Sequence, residues 1–185
     1  MEGTKFRYDD IILRNIMLVI NSSPLIHLAR LSKARFLRDY AKRVLVPEAV
    51  HREVVTTGLI EGYSEASTIE GFEKDGWLAV EPLKPKFKNM ARALGDTLGE
   101  GEAQAIALAS QSMLRLLIDD DHGRRVAGYY NVDTVSTLGI LLEFLRADTL
   151  TKQEYTANVK HFASQAWIAS SVVDEFLRRA DELGY

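Results

Sequence analysis

Five short apolar segments, none of them alternating with polar residues, restrict this chain to very few folds. They are Met17–Asn21 (MLVIN), Val44–Val46, Trp77–Glu81 (WLAVE), Leu114–Asp119 (LRLLID) and Val132–Ser136 (VDTVS). β-branched and bulky apolar residues without a polar face predict strands buried on both sides. Helical stretches at about 24–39, 47–56, 63–75, 99–113, 122–130 and 137–147 separate them. Strands that alternate with helices imply a parallel sheet covered on both faces, an α/β fold with right-handed crossovers. Residues 1–16 read as a polar, irregular extension ahead of a single domain over 17–185, whose last segment, 147–185, is a set of amphipathic helices appended to the sheet.

The helix starts carry local signals. Ser23-Pro24 offers a capping hydroxyl followed by a proline at the first helical position, and Pro47 is expected to play the same part for the next helix. Ser136-Thr137 is expected to cap a helix beginning at Leu138, and Gly99/Gly101 mark a tight start for the helix that follows them.

Composition removes several classes of function. The 185 residues include no cysteine, which excludes a disulfide scaffold, a thiolate zinc site and a thiol nucleophile. No apolar run reaches the roughly 18–20 residues of a membrane span; Ile11–Ile20 is interrupted by Arg14 and Asn15. With no signal-peptide pattern either, a cytoplasmic protein without membrane contact is expected. No phosphate-binding glycine motif occurs, so a nucleotide cofactor is unsupported. The net charge of −3 is unevenly spread: residues 1–60 carry ten Lys or Arg against six acids, and residues 61–120 six against eleven. Arg30, Lys33, Arg35, Arg38, Lys42 and Arg43 form the densest basic run, either a guide for RNA phosphates or a solvated helix surface.

The acids in the negative stretch are the informative ones. Ligands of an open α/β sheet bind beyond the carboxyl ends of its strands. Asn21 ends the first strand, and Asp119, Asp120 and Asp121 end the fourth. Helical phase, at about 100° per residue, sorts the glutamates. With Glu48 at zero, Glu53 falls inside the core-facing arc of Ala49, Val50 and Val54, while Glu48 lies outside it, four residues before Arg52 and suited to a solvent ion pair. On the helix after Gly99, Glu102 shares its face with Ile106, Ala109 and Met113, while Glu100 points away with Gln104 and Gln111. A carboxylate on an apolar face is costly to bury unless it is paired or ligates a cation. Several such acids near one sheet edge suggest Mg²⁺ or Mn²⁺, which favour oxygen donors and could activate a water for phosphodiester hydrolysis. The competing explanation is neutralisation by arginine, with Arg124 and Arg125 at hand, or an acidic turn that caps the helix at His122. His27, His51 and His161 show no ligand spacing, and His122 is a lesser candidate for a phosphate contact. Tyr129-Tyr130 and Trp167 read as packing residues.

Five stretches in register, Ile20–Leu25 (INSSPL), Val46–Val54 (VPEAVHREV), Leu98–Ala109 (LGEGEAQAIALA), Leu117–Ala127 (LIDDDHGRRVA) and Val135–Leu141 (VSTLGIL), resemble the PIN-domain ribonucleases. The match is closest to a subfamily long labelled as of unknown function and related to toxin–antitoxin toxins. It covers about residues 17–147 and continues more weakly through Trp167-Ile168 and Val172–Ala180. The resemblance implies a three-layer α/β/α fold and Mg²⁺- or Mn²⁺-dependent cleavage of single-stranded RNA. It also implies a toxin role with an antitoxin partner. The amphipathicity of the C-terminal helices, by itself, suggests a homodimer or antitoxin surface there. The acidic quartet the resemblance implies is position 21, Glu53, Glu102 and one of Asp119 or Asp120, with Asp120 preferred. Ser22 or Ser23 stands where the family has a small hydroxyl beside the first acid.

Position 21 is the departure, because the general pattern has Asp and this chain has Asn. An amide carbonyl can ligate but adds no charge and cannot act as a base. The alternative reading is therefore a catalytically silent module that binds nucleic acid or protein. An aspartyl-nucleophile phosphatase or receiver-like protein ranks lower, since its acids would belong where Asn21 stands.

Overall fold

The strands form because their residues are apolar on both faces, and their order follows from how the crossovers run. A computed structural model describes residues 16–166 and 168–183. β1 (Ile16–Ile20) leads through α1 (Ser22–Arg30) and α2 (Ala34–Tyr40) to β2 (Ala41–Val46). α3 (Glu48–His51), a π-helical turn (Arg52–Thr57), α4 (Gly58–Ile60) and α5 (Ser64–Lys74) connect it to β3 (Leu78–Val80). α6 (Pro85–Leu94) and α7 (Glu100–Ser112) precede β4 (Arg115–Leu117), and α8 (Asp121–Tyr129) precedes β5 (Thr134–Val135). α9 (Thr137–Arg146), α10 (Lys152–Ala166) and α11 (Ser170–Glu182) complete the described chain. Ile16 belongs to β1, so the expected extension ends one residue earlier; residues 1–15 and Trp167 lie outside the described residues.

All strands are parallel, in the order β3-β2-β1-β4-β5, and helices cover the sheet in a three-layer α/β/α arrangement. β1 is central: Leu18 pairs with Val44 on one side and Arg115 on the other, and Ile20 with Leu117. Leu18, Val19 and Ile20 are at most 1% exposed, as expected for a strand with no polar face. α7 is apolar nearly all round (Ala103, Ala105, Ile106, Ala107, Leu108 and Ala109 are buried), the property of a helix enclosed on every side. At the amino edge of the sheet, Arg115 donates to Glu143 at 2.9 Å and lies 3.1 Å from Asp133. The Tyr40 hydroxyl also donates to Glu143. Burial, and then the neighbouring Glu143, push that phenol well above its ordinary range.

Several boundaries differ from expectation, for identifiable reasons. The helix expected at 24–39 is two helices. The first begins at Ser22 with Asn21 at its N-cap, so Pro24 sits in the third position rather than the first. Pro47 likewise occupies the N-cap itself, and the helix expected to begin at Leu138 begins at Thr137 with Ser136 as its cap. α1 ends because Ser32 adopts a left-handed conformation (φ 56°): the Ser32 amide bonds to Ala29 O and the Lys33 amide to Leu28 O, which closes a Schellman motif. The same pairing follows Asn131 and Asp148, and Met113 (φ 54°) ends α7 with Leu114 N bonded to Ala109 O. Glycine, or less often asparagine, is the usual terminator, so the stops at Ser32 and Met113 carry no signal in sequence. α6 was not expected, although Pro85 stands at its first position and Leu83 and Ala91 are buried, with Phe87 partly buried between them at four-residue spacing.

Met113 is 92% exposed, so its side chain contributes almost no packing while its backbone is in a region that disfavours L side chains. Met113→Gly is therefore expected to raise stability by about 0.5–1 kcal/mol, the left-handed penalty less the added entropy of the unfolded glycine. Urea unfolding monitored by circular dichroism measures it; a less stable variant would contradict the account.

Candidate active site at the switch in strand order

After β1 the chain moves outward through β2 and β3, then returns to the other side of β1 for β4. The carboxyl ends of β1 and β4 therefore flank the point where strand order reverses, the usual ligand position in such sheets. The Asn21 amide donates to Leu117 O at 3.0 Å, which extends the β1–β4 ladder to the lip of this crevice.

Asn21 is only 4% exposed, and its side-chain oxygen Oδ1 is buried without a hydrogen-bond partner. Such an orphan is rare, because an unsatisfied buried acceptor costs about 1–3 kcal/mol. The next residue, Ser22, is also buried, and its hydroxyl donates to Glu53 Oε2 at 2.6 Å. Of the two serines it is Ser22 that stands beside the acids. Glu53 itself is exposed rather than core-facing. The π turn over Arg52–Thr57 inserts extra residues per turn, so both Val54 and Val55 face the core and Glu53 faces the crevice. Gly101 permits this close approach: a Cβ there would lie 3.3 Å from Glu53 Oε2 and 3.6 Å from the Ser22 hydroxyl.

Glu102 is half-buried in the first turn of α7, where its Oε2 accepts from the Gly99 amide at 3.4 Å. Ile106 and Ala109 are buried on its side as expected, but Met113 is not, because the left-handed stop turns it outward. The Glu102 carboxyl is pushed above the ordinary carboxylate range, first by burial and then by the charge of Asp120, with Glu53 adding to it; the Gly99 amide and His122 act in the opposite direction. Glu53, Glu102 and Asp120, separated by up to 67 residues in sequence, thus share one electrostatic environment.

The two aspartates after β4 do different work. Asp119 is committed to the scaffold: Oδ1 accepts from the Thr137 amide at 2.7 Å, and Oδ2 from the Thr137 hydroxyl at 2.7 Å, with His27 Nδ1 at 3.3 Å. Asp120 caps α8 by accepting from the Gly123 amide, and it is the one whose charge reaches Glu102. Asp121 pairs with Arg124. No arginine among the described ion pairs neutralises Glu53, Glu102 or Asp120, and Arg52 pairs with Glu100 at 2.7 Å rather than with Glu48. Sequence reasoning did not find the Thr137–Asp119–His27 linkage, since Asp119 is 92 residues from His27 and no local pattern marks it.

Asn21, Ser22, Glu53, Gly101 and Glu102 line a cleft of about 340 Å³. Among the described residues no three His, Asp or Glu side chains are gathered so as to hold a metal ion by themselves. What suits a hard cation is the chemistry of the lining: an orphaned amide oxygen and the carboxylates of Glu53 and Glu102 at the cleft, with the Asp120 charge close enough to raise the Glu102 carboxyl.

The fold and cleft together define an α/β protein with an acidic crevice at its topological switch point. A family model described as DUF3368, PIN domain, matches residues 17–182. The chain belongs to the PIN-domain family, whose members are in general nucleases and typically use divalent metals. No curated protein matches the chain. Among the described residues no helix is long and apolar enough to cross a membrane.

The raised Glu102 carboxyl has a consequence for stability. A folded-state value above the unfolded one means that ionisation disfavours the fold, a cost present at neutral pH and relieved as pH falls through the folded value to below the unfolded one. Glu102→Gln, measured by thermal unfolding in EDTA, is therefore expected to melt above the wild type at pH 7, and the difference to vanish near pH 3. A lower melting temperature at pH 7 would show that Glu102 stabilises the scaffold instead.

Proposed function

We propose that this chain is a divalent-metal-dependent endoribonuclease that cleaves single-stranded RNA, the toxin half of a toxin–antitoxin pair. The observation that carries the reading is the buried, unpartnered Asn21 Oδ1 at the same crevice as Glu53 and Glu102, with Asp120 in electrostatic reach. Glu53, Glu102, Asp120 and the Asn21 carbonyl are the residues that would hold Mg²⁺ or Mn²⁺. Such an ion, when bound, supplies Lewis-acid activation of water and offsets the charge of the phosphodiester. The chain's own contribution is orientation. Ser22 fixes one oxygen of Glu53, the Gly99 amide orients Glu102, and Gly123 orients Asp120. Asp119 is a positioning residue that locks the start of α9 to the end of β4 through Thr137. His122, exposed in the first turn of α8, places an imidazole near Glu102, whose carboxyl it acts to lower.

Asn21 itself supports a second reading, a silent PIN module that binds nucleic acid or protein, because an amide brings no charge to the quartet. A fluorogenic single-stranded RNA cleaved in a Mn²⁺ titration separates the two. The nuclease reading expects wild-type cleavage that Glu102→Gln lowers by about 100-fold or more, the loss of a few kcal/mol of charge stabilisation. Cleavage only in Asn21→Asp would establish the silent module instead.

The partner surface is assigned to α10 and α11. Val173, Phe176 and Leu177 pack only partly against the core, Val172 is exposed, and Ala180 is the one fully buried residue of α11. The expectation is a dimer or a co-purifying antitoxin in light scattering of the natively purified protein; a monomer with no partner would remove this assignment.

A further inference from the structure

Of the basic run singled out in sequence, three cations are paired in the fold, while Lys42 and Arg43 are exposed with no ion pair among the described residues. Arg30 pairs with Glu65 at 2.6 Å, Lys33 with Glu154 at 3.9 Å, and Arg38 with Asp75 at 3.1 Å, the last also lying over the Phe72 and Trp77 rings. α6 shows the opposite behaviour. Residues 82–95 hold Lys84, Lys86, Lys88 and Arg92 and no acid, in a stretch of chain (61–120) that is otherwise strongly negative. All four cations are exposed, and none of them forms an ion pair among the described residues. Lys88 and Arg92, four residues apart, share one face of α6 with about 6 Å of rise between them, and Lys84 is the N-cap residue, in extended backbone, four positions ahead of Lys88. That spacing is of the order of successive phosphates along an extended strand. The adjoining row, Leu83, Phe87 and Ala91, packs inward, which holds the basic row at a set height above the protein.

The row borders a cleft of about 560 Å³, lined by Lys88, Arg92, Glu48, Asp96, Glu100 and Gln104 among others. Glu100 is shared with the cleft that holds Asn21, Glu53 and Glu102, and Ala49, next to Glu48, lines that second cleft too. The negative charge between the two is reduced, because Glu100 is paired with Arg52. A strand whose backbone follows α6 would therefore be led to the acidic crevice.

We propose that the Lys84–Lys88–Arg92 row of α6 is the docking rail for the phosphodiester backbone of single-stranded RNA, contacting consecutive phosphates upstream or downstream of the bond at the acidic site. The assignment rests on the nuclease reading for the identity of the strand, but its test does not require cleavage. The probe is a fluorescein-labelled oligouridylate, bound in EDTA and followed by anisotropy across a salt series. Three neutralised phosphates contribute about 0.7 each to the salt slope, so Lys84→Gln/Lys88→Gln/Arg92→Gln is expected to flatten it by about 2 and to weaken binding on the order of 100-fold at 0.1 M salt. Arg30→Gln/Lys33→Gln/Arg38→Gln is expected to leave both unchanged. The single charge reversal Lys88→Glu, checked for native circular dichroism, guards against misfolding of the triple variant and is expected to weaken binding in the same direction. Wild-type affinity and slope in the α6 variants would overturn the proposal, as would loss of the slope in the 30/33/38 variant, no binding by the wild type, or displacement by polyglutamate as effective as by unlabelled RNA. A chain that binds through α6 yet cuts no RNA would keep the rail and remove the nuclease reading.

Discussion

The parallel pairing of β1 with β2 on one side and β4 on the other is the constraint from which the rest follows. Leu18, Val19 and Ile20 have no polar face, and burying each is worth about 1.5–3 kcal/mol, so the strand is stable only at the centre of a covered sheet. Once β1 is central and the crossovers are right-handed, strand order must reverse beside it. The residues that leave β1 and β4, Asn21 and the Asp119–Asp121 run, are then neighbours although about 100 residues separate them. The meeting of these polar residues at one edge is a by-product of how an apolar strand finds its place.

The acids gathered there are held by two kinds of support. Some hydrogen bonds serve the scaffold: Thr137 takes both oxygens of Asp119, and His27 adds a third contact. Others engage one carboxylate oxygen only: the Ser22 hydroxyl donates to Glu53 Oε2, and the Gly99 amide to Glu102 Oε2. Burial first, and then the charges of Asp120 and Glu53, push the Glu102 carboxyl above the ordinary carboxylate range. Proteins tolerate such arrangements where function uses them. Gly101 illustrates the same economy, since alanine would suit the helix better but would crowd the Glu53 carboxylate.

Legibility in the sequence varied with the range of the interaction responsible. The five strands and most helices were readable because apolar periodicity is a local property, and Glu102 stood out because its helix keeps regular phase with Ile106 and Ala109. Glu53 was selected by the same test for the wrong reason: it points into a solvent crevice, not the core, because the π turn breaks the 100° phase. Ser32 and Met113 end helices without the glycine that would announce it. α6 lay unread between two strands, since its apolar row is short and is broken up by Lys86, Lys88, Asn89 and Arg92.

Sequence alone determined the α/β class, the absence of thiol chemistry and the short list of acids, because composition and periodicity act through neighbouring residues. Tertiary structure alone decided which serine bonds to Glu53, which aspartate is tied to Thr137, which cations are paired and which are left exposed, and that the Asn21 oxygen goes unpartnered. Those outcomes depend on contacts between residues tens of positions apart, whose energies exist only once the sheet has brought its strands together.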